Sequence, residues 1–329
     1  MKKRILFCIP DYSAFKTPLT IALEKRGFDV KHFDFYKGNL LTRAIGFSSN
    51  QLYLPKKIAL PLYKSLIQKQ LLTIARDWRP SLVLVIKGDT ISISTLEQLA
   101  KWQIPTINWY PEWLVVWDWI KIYAPHYTYF VSSCADVAKK LHKLHPRAFQ
   151  LSYATAPDKQ INRTAVKKYS LTFVGQHSKR RENYFRPLKK LGLRIWGYTN
   201  WQKSRLSSIA KPAVSVSETL DIFRQSKIVV NILTGNDAFQ PKNVNNRTFE
   251  VLGVGSFLLN HDQPILHKHF PVNNCMVTYQ TPQELYQKAK YYLQHEIERE
   301  RIAQQGWDYV CKHHNYDIRL QELFSKIKI

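Results

Sequence analysis

The chain has 329 residues, of which 45% are hydrophobic and 22% are charged, and this composition excludes a disordered or fibrous protein. Its 49 Lys and Arg residues against 24 Asp and Glu residues give a net charge of +25, which predicts a surface that attracts polyanions such as nucleic acid, anionic lipid or phosphorylated substrates. The apolar stretches are shorter than the roughly 20 residues that span a bilayer. The four cysteines lack the spacing of a disulfide or zinc framework, so a cytoplasmic protein is expected.

The first half of the sequence alternates between strand and helix patterns. The predicted strands are residues 4–9, 28–35, 81–86, 105–110 and 128–132, and the predicted helices start at Thr17 and Ser94 or span residues 56–78 and 135–145. Thr17 is followed by Pro18, a favoured first helical residue, and Ser94 forms a capping box with Glu97. A strand as short and continuously apolar as 81–86 is typical of a parallel sheet that helices cover on both faces.

The second half repeats this alternation after a weakly patterned polar stretch, residues 156–168, which we interpret as a linker. The predicted strands are residues 171–174, 193–196, 228–233, 256–260 and 276–279, and the predicted helices lie near residues 180–191, 217–226 and 245–253. Thr281 starts another capping box, and helical segments follow to the end of the sequence.

These repeated strand–helix units predict an α/β fold with two Rossmann-like domains that face each other across a cleft. We expect residues 1–155 to form the first domain and residues 169–314 the second, with residues 315–329 as a C-terminal helix that packs back on the first. Ligands bind at the carboxyl ends of parallel strands, so the cleft is the expected site.

The most informative segment lies between two predicted strands and combines amides, a cation and a carboxylate. It begins with Asn243, Val244, Asn245 and Asn246. Their position at a helix N-terminus suits an anion, Arg247 offers a planar fork for a phosphate, and Glu250 could accept hydrogen bonds from a ribose diol. A helix with ordinary surface charges is the alternative interpretation.

Two other strand ends in the second half carry candidate nucleotide-binding residues. Gly175 ends a predicted strand and is followed by three cations, Lys179, Arg180 and Arg181, which suits a pyrophosphate clamp, although a solvated start of a basic helix would have the same sequence. The next predicted strand ends in Trp196, Gly197 and Tyr198. An aromatic ring there could flank a base or pack in the core.

Candidates for acid–base and metal chemistry are fewer. Glu112 and Asp11 follow predicted strands and are candidates for a general base, although either could cap a helix, and a cap is the favoured interpretation for Asp11. Metal-binding side chains occur at His261, Asp262, His267 and His269, but no helix or strand period brings them together. The sequence also lacks an Asp-x-Asp pair, so we expect neither a metal nor another cofactor.

The residues from Asn245 to Glu250, the glycine at the end of that helix and Asp262 after the next strand resemble the signature of CgeB-like, spore-maturation-type glycosyltransferases. The similarity continues through residues 281–293 and 306–323, and it is looser in the first half. The resemblance implies a GT-B fold, in which the first domain binds the acceptor and the second domain binds a nucleotide-diphosphate sugar as donor.

The resemblance also implies roles for individual residues. Glu250 would bind the donor ribose, residues 243–247 would bracket its diphosphate, and Lys179 or Arg180 would neutralise the leaving phosphate in the place of a metal. The sequence departs from the pattern of many retaining GT-B enzymes, because Lys242 occupies the position of a second glutamate eight positions before Glu250. Both a retaining and an inverting reaction therefore stay open.

The expected function is metal-independent transfer of a sugar to a cell-surface glycan, glycolipid or protein. We expect the enzyme to be cytoplasmic, with a basic surface that associates with the inner face of the membrane. The alternative is a catalytically inactive GT-B-fold protein that uses this surface to bind nucleic acid or anionic membrane. The aromatic residues form no known nucleic-acid module, so nucleic acid is not the expected partner. An epimerase of the same fold is a third interpretation.

Overall fold

The computed structural model describes residues 2–37, 56–111, 116–159, 161, 166–233 and 243–328 of the chain. The chain forms two compact units. Unit 1 comprises residues 1–152 and 320–329, and unit 2 comprises residues 153–319. Each unit contains a six-stranded sheet whose paired strands all run parallel. The predicted α/β fold with a parallel sheet in each half is confirmed.

Unit 1 alternates strands and helices along most of its length. Its described elements are β1 (Arg4–Cys8), α1 (Lys16–Lys25), β2 (Asp29–Phe33), α2 (Lys56–Trp78), β3 (Leu82–Ile86), α3 (Ile93–Lys101), β4 (Thr106–Tyr110), α4 (Trp117–Tyr123), β5 (Tyr129–Ser132), α5 (Ala135–His142) and β6 (Ala148–Gln150). The sheet has the order β2-β1-β3-β4-β5-β6. Every residue of β3 and β4 is buried, because helices cover both faces of a parallel sheet and leave no strand face in water.

Unit 2 repeats this architecture. Its elements are β7 (Tyr169–Val174), α6 (Lys179–Phe185), β8 (Leu193–Trp196), β9 (Ala210–Lys211), α7 (Val216–Arg224), β10 (Ser226–Asn231), α8 (Asn246–Gly253), β11 (Leu258–His261), α9 (Pro264–His269), β12 (Val277–Tyr279), α10 (Pro282–Gln294) and α11 (Glu296–His313). The last helix, α12 (Tyr316–Lys326), begins in unit 2, and its residues from Leu320 onward belong to unit 1.

The strand order of unit 2 determines where a ligand can enter. The order is β12-β11-β10-β7-β8-β9, so β7 lies between β8, which follows it in sequence, and β10, where the sheet begins to grow in the opposite direction. Loops that leave neighbouring strands at such a switch point diverge to opposite faces, and a crevice opens between them at the carboxyl ends of the strands. The loops after β7 and β10 are therefore the first place to look for a site.

Two predicted helix starts in unit 1 are wrong by a few residues. Thr17 lies inside α1, whose N-cap is Phe15 without a side-chain hydrogen bond, and Pro18 fits because the first turn has no intrahelical use for its missing N–H. The N-cap of α3 is Ser92 instead of Ser94, and its Oγ accepts a hydrogen bond of 3.2 Å from the Thr95 N–H.

Two short edge strands were absent from the prediction. β6 has three residues and β9 has two, too few for an alternating or continuous apolar pattern to stand out from the neighbouring loops.

Among the described residues, the structure contains no helix that is both long and apolar enough to cross a membrane.

Candidate active site

A cavity of about 220 Å³ opens in unit 2 beside the carboxyl ends of β7 and β8. Several of the predicted nucleotide-binding residues line it together, namely Gly175, Trp196, Gly197, Tyr198, Arg247 and Glu250. They come from three separate parts of the sequence, and the parallel sheet brings them together because its strand ends share one edge. Tyr198 is 64% exposed, whereas Trp196, at the end of β8, is buried.

The two glycines of this cavity permit a close approach of backbone and side chains. A Cβ atom on Gly197 would lie 2.3 Å from the Gly175 carbonyl oxygen, and one on Gly175 would lie 2.6 Å from the Arg247 Nη2 atom. Real Cβ atoms do not come so near to other heavy atoms, so a larger residue would push Arg247 or the strand ends away. Both positions therefore need glycine if the cavity is to keep its shape.

The loop after β7 is fixed by side chains from elsewhere in the unit. The Trp201 indole donates a hydrogen bond of 2.8 Å to the Gly175 carbonyl, and the Arg181 guanidinium donates one of 2.7 Å to the Gln176 carbonyl. Ser178 caps α6 by accepting a hydrogen bond of 3.2 Å from the Arg181 N–H. This loop is consequently rigid before any ligand arrives, which lowers the entropic cost of binding.

Arg247 is held in place at the cavity wall. Its Nη1 donates a hydrogen bond of 2.8 Å to the Asn231 side-chain oxygen, and its guanidinium lies 4.8 Å from the centre of the Phe173 ring. Burial lowers the pKa of Arg247, while the nearby Glu250 carboxylate acts in the opposite direction. A half-buried guanidinium with one edge already bonded offers its remaining donors to an anion in the cavity.

Glu250 lies one helical turn after Arg247 on α8 and is also half-buried. Asn246 donates a hydrogen bond of 2.5 Å to its Oε1 atom. Burial raises the pKa of the Glu250 carboxyl, and the charge of Arg247 counteracts this rise. The side chain is thus an acceptor with a fixed orientation inside the cavity, which is what recognition of a diol requires.

Asn231, at the end of β10, is the centre of a buried amide network that the sequence analysis missed. Its Nδ2 donates to the Asn245 oxygen at 3.0 Å and to the Asn260 oxygen at 2.6 Å, while its oxygen accepts from the Arg247 guanidinium. Asn245 is also the N-cap of α8, where its oxygen accepts from the Thr248 N–H. Asn231 is the one polar residue of the predicted strand 228–233, and this is the signal that could have identified it.

The remaining residues of the predicted phosphate segment are placed differently. Asn243 and Val244 are buried, and the side chain of Asn246 is engaged with Glu250. Ala213, Val214, Val216 and Thr219 line the cavity without having been predicted. Val216 and Thr219 belong to α7, whose capping box from Ser215 to Glu218 is a recognisable signal in the sequence.

The three cations after Gly175 have different environments, and within the described part of unit 2 none of them lines the cavity. Arg181 is buried, and its Nε and Nη2 atoms each donate a hydrogen bond to the Ile232 carbonyl. Burial lowers the pKa of Arg181 to about 9. Arg180 contacts the His261 ring nitrogen at 3.0 Å and lies over the ring of Tyr184. Lys179 has a side chain that is 88% exposed.

The two candidate general bases lie in the first half of the chain. Among the helices that the structure describes, Asp11 caps none, which makes the favoured interpretation wrong. Its carboxylate instead forms ion pairs of 2.7 Å with Lys16 and 3.2 Å with Lys37, and the hydrogen bond from Lys16 lowers its pKa. α1 starts on a backbone turn and leaves Asp11 outside its first hydrogen bonds. Glu112, like Lys242 in the second half, lies outside the described residues.

The histidine-rich segment of unit 2 contains one close acid–base pair. Asp262 Oδ1 and His267 Nε2 are 2.8 Å apart, and His261 contacts Arg180 instead of joining them. In the part of the chain that the structure describes, no group of three or more His, Cys, Asp or Glu side chains is arranged to hold a metal ion.

Comparisons with known proteins agree with this architecture. Residues 180–325 match a family described as glycosyl transferase-like, and no curated protein matches the chain. A glycosyltransferase from Rickettsia africae superposes with a TM-score of 0.64 at 12% identity, covering 98% of this chain and 97% of that one. An alpha-glucosyltransferase in complex with UDP and DNA superposes with a TM-score of 0.64 at 9% identity, covering 99% of both chains.

A third similar structure is the sucrose-phosphate synthase from Thermosynechococcus elongatus, with a TM-score of 0.61 at 9% identity over 99% of both chains. At such identities the likeness establishes the fold. The chain therefore has the fold of GT-B glycosyltransferases, and its residues 180–325 carry the sequence pattern of a glycosyl transferase-like family.

Proposed function

We propose that the protein transfers a sugar from a nucleotide-diphosphate donor bound in the cavity of unit 2. The observation that supports this most is the placement of Arg247 and Glu250 side by side in a cavity at the switch point of the sheet. One side chain suits a phosphate and the other suits a ribose diol. Both lie in the segment that matches the glycosyl transferase-like family, and one similar structure, the alpha-glucosyltransferase, contains UDP.

In this proposal each group has a separate role. The Glu250 carboxylate accepts the ribose hydroxyls, and the Arg247 guanidinium binds the diphosphate and stabilises the charge that develops on it as the glycosidic bond breaks. Tyr198 covers the base at the exposed side of the cavity. Lys179 and Arg180 lie beyond the cavity wall and reach a diphosphate that extends past it, so that cations take the place of a metal.

The finer assignments extend this proposal. The residues from Asn245 to Glu250 match the CgeB-like signature, which supports membership of that group. A cell-surface glycan, glycolipid or protein is the proposed acceptor, and the net charge of +25 supports association of a cytoplasmic enzyme with an anionic membrane face. Glu112 is the proposed general base if the reaction inverts the sugar configuration.

The proposal is tested by incubating the protein with a panel of nucleotide sugars and measuring release of the nucleoside diphosphate, with and without EDTA. We expect release from one donor class, unaffected by EDTA and lost in Glu250→Ala. Asp308→Ala, which removes an exposed acid of α11, is the matched control and should keep full activity. Absence of release from every donor, with tight and salt-dependent binding of DNA or anionic vesicles, would instead favour the inactive binding protein.

A further inference from the structure

Unit 1 contains a larger cavity, of about 630 Å³, between α2 and α3. This volume lies within the range of about 300–1,000 Å³ that is usual for small-molecule sites. Its floor is the loop that follows β3, with Asp89, Thr90 and Ser92, and its walls include Lys64 and Lys69 of α2. None of these residues was predicted to take part in a site.

The cavity opens at the carboxyl end of β3, next to the point where the sheet of unit 1 changes its direction of growth. β1 pairs with β2 on one side and with β3 on the other, so the sheet changes its direction of growth between β1 and β3. Ligands of parallel sheets bind near the carboxyl ends of the strands at such a switch point. Among the described residues, the loop after β3 lines the cavity and the loop after β1 does not, so the cavity uses one of the two loops that meet there.

The backbone of this loop is strained. Lys87 has φ of +72° and is followed by Gly88 at +70°, so that two consecutive residues adopt the left-handed conformation. For lysine this costs of order 1 kcal/mol, and such strain persists chiefly at ligand sites and switches. The Asn108 side chain donates a hydrogen bond of 2.9 Å to the Lys87 carbonyl and holds the turn, which directs the chain at Asp89 into the cavity.

The cavity floor is also fixed by a single amide. Gln68 of α2 donates a hydrogen bond of 3.0 Å to the Thr90 carbonyl, and its oxygen accepts from the Ser92 N–H at 3.1 Å and from the Thr95 hydroxyl at 2.9 Å. This one side chain ties α2 to the loop and to the first turn of α3. The polar groups that face the cavity are consequently preorganised for a ligand.

The lining selects the chemistry of that ligand. The hydroxyls of Ser65, Thr90 and Ser94 can exchange hydrogen bonds with a polyol, while Lys64 and Lys69 supply positive charge. Asp89 is the one acid of the described lining, and its Oδ1 atom accepts a hydrogen bond of 2.6 Å from the Tyr36 hydroxyl. The balance of charge in the cavity is positive, which favours an anionic ligand that is rich in hydroxyls.

We propose that this cavity binds a phosphate-bearing polyol, with Lys64 and Lys69 on the phosphate and Asp89 on a hydroxyl. This inference goes beyond the proposed function and does not depend on it, because every described residue that lines the cavity belongs to unit 1. The same chemistry belongs to a soluble sugar phosphate and to the headgroup of an inositol phospholipid, and the experiment separates the two sources.

The test measures binding of glucose 6-phosphate, glucose and inorganic phosphate to the full chain by calorimetry. We expect glucose 6-phosphate to bind more tightly than either fragment, since only it uses the lysines and the hydroxyl-rich floor together. The variant Lys64→Gln/Lys69→Gln should weaken this binding about tenfold or more. The control Lys139→Gln/Lys143→Gln removes the same charge from exposed positions at the end of α5 and should leave the affinity unchanged.

A parallel measurement uses phosphatidylcholine vesicles with and without phosphatidylinositol. Vesicle binding that is specific to phosphatidylinositol and lost in Lys64→Gln/Lys69→Gln identifies the lipid headgroup as the ligand, whereas binding of glucose 6-phosphate alone identifies a soluble one. Binding of neither, or an equal loss in the two double variants, overturns the inference. Binding of UDP is measured on the same variants and should not change, so that failure of this site and failure of the donor site are distinguishable.

Discussion

At the scale of single residues, Arg247 contributes a fixed planar geometry as well as a positive charge. Its contact with Asn231 and its position over Phe173 both depend on the planar guanidinium. Lysine would keep the positive charge but lose the fixed fork. We expect Arg247→Lys to weaken binding of a nucleoside diphosphate about tenfold, measured by calorimetry. Arg194→Lys, on an exposed position of β8, is the control, and an affinity equal to wild type in Arg247→Lys would contradict this role.

A second residue-scale prediction concerns His314, which is buried in its neutral form. Burial lowers its pKa to about 4, and the charge of Arg319 adds to this effect. The Nε2 atom bonds the His269 carbonyl at 3.0 Å, and the Nδ1 atom accepts from Arg319 at 2.5 Å, so a second ring proton would face a cation. The folded state therefore binds a second proton on the His314 ring more weakly than the unfolded state does. The contribution of neutral His314 to the free energy of unfolding is complete above the ordinary pKa of 6.5 and is lost as the pH falls toward 4.

We therefore expect the free energy of unfolding by urea to fall by about 2 kcal/mol between pH 7 and pH 5. His314→Gln should be less stable at neutral pH but should lose less on acidification. His313→Gln, which changes the exposed neighbour, should behave like wild type. An acid-induced loss in His314→Gln as large as in wild type would show that other groups cause it.

At the scale of elements, the start of α8 joins fold and site in one hydrogen-bond pattern. Asn245 caps the helix and also bonds Asn231, which bonds Arg247. We expect Asn245→Ala to lower the free energy of unfolding by about 1–2 kcal/mol and also to weaken nucleotide binding. Thr281→Ala removes the cap of α10 in the same unit and should cost a similar stability without an effect on binding. If both variants bound the nucleotide with equal affinity, the cap of α8 would have no role in nucleotide binding.

The elements also show which structural features could be predicted from the sequence and which could not. Strands such as β3 were predictable because burial on both faces leaves an unbroken apolar run. The cap of α3 was not predictable, because the capping-box pattern with Glu97 favours Ser94, whereas the hydrogen bond from the Ser92 N–H to Gln68 is a tertiary contact that favours Ser92. For the same reason Arg181 was predicted as one of three phosphate-binding cations but turned out to be a buried support of the loop.

At the scale of the whole molecule, the predicted glycine-rich strand ends and the α8 segment do converge on one cavity in unit 2. The strand ends of a parallel sheet lie at one edge, so such distant segments meet there. The site residues of unit 2 could therefore be predicted from their motifs in the sequence. The cavity of unit 1 was not predictable, because it depends on a strained turn and on a glutamine in α2 that no local pattern distinguishes. The net charge of +25 adds a general attraction for anions that neither cavity explains.

The most direct test of the donor site is thermal unfolding of the full chain with UDP, GDP, ADP, CDP or dTDP, each with and without EDTA. A nucleotide at about 100 times its dissociation constant stabilises the folded state by about 2.7 kcal/mol. We expect one nucleotide to raise the melting temperature of wild type and Asp308→Ala, regardless of EDTA, and to leave Glu250→Ala unchanged. If no nucleotide stabilises the wild type, or if Glu250→Ala is stabilised equally, the cavity beside β7 is not a nucleotide-diphosphate site.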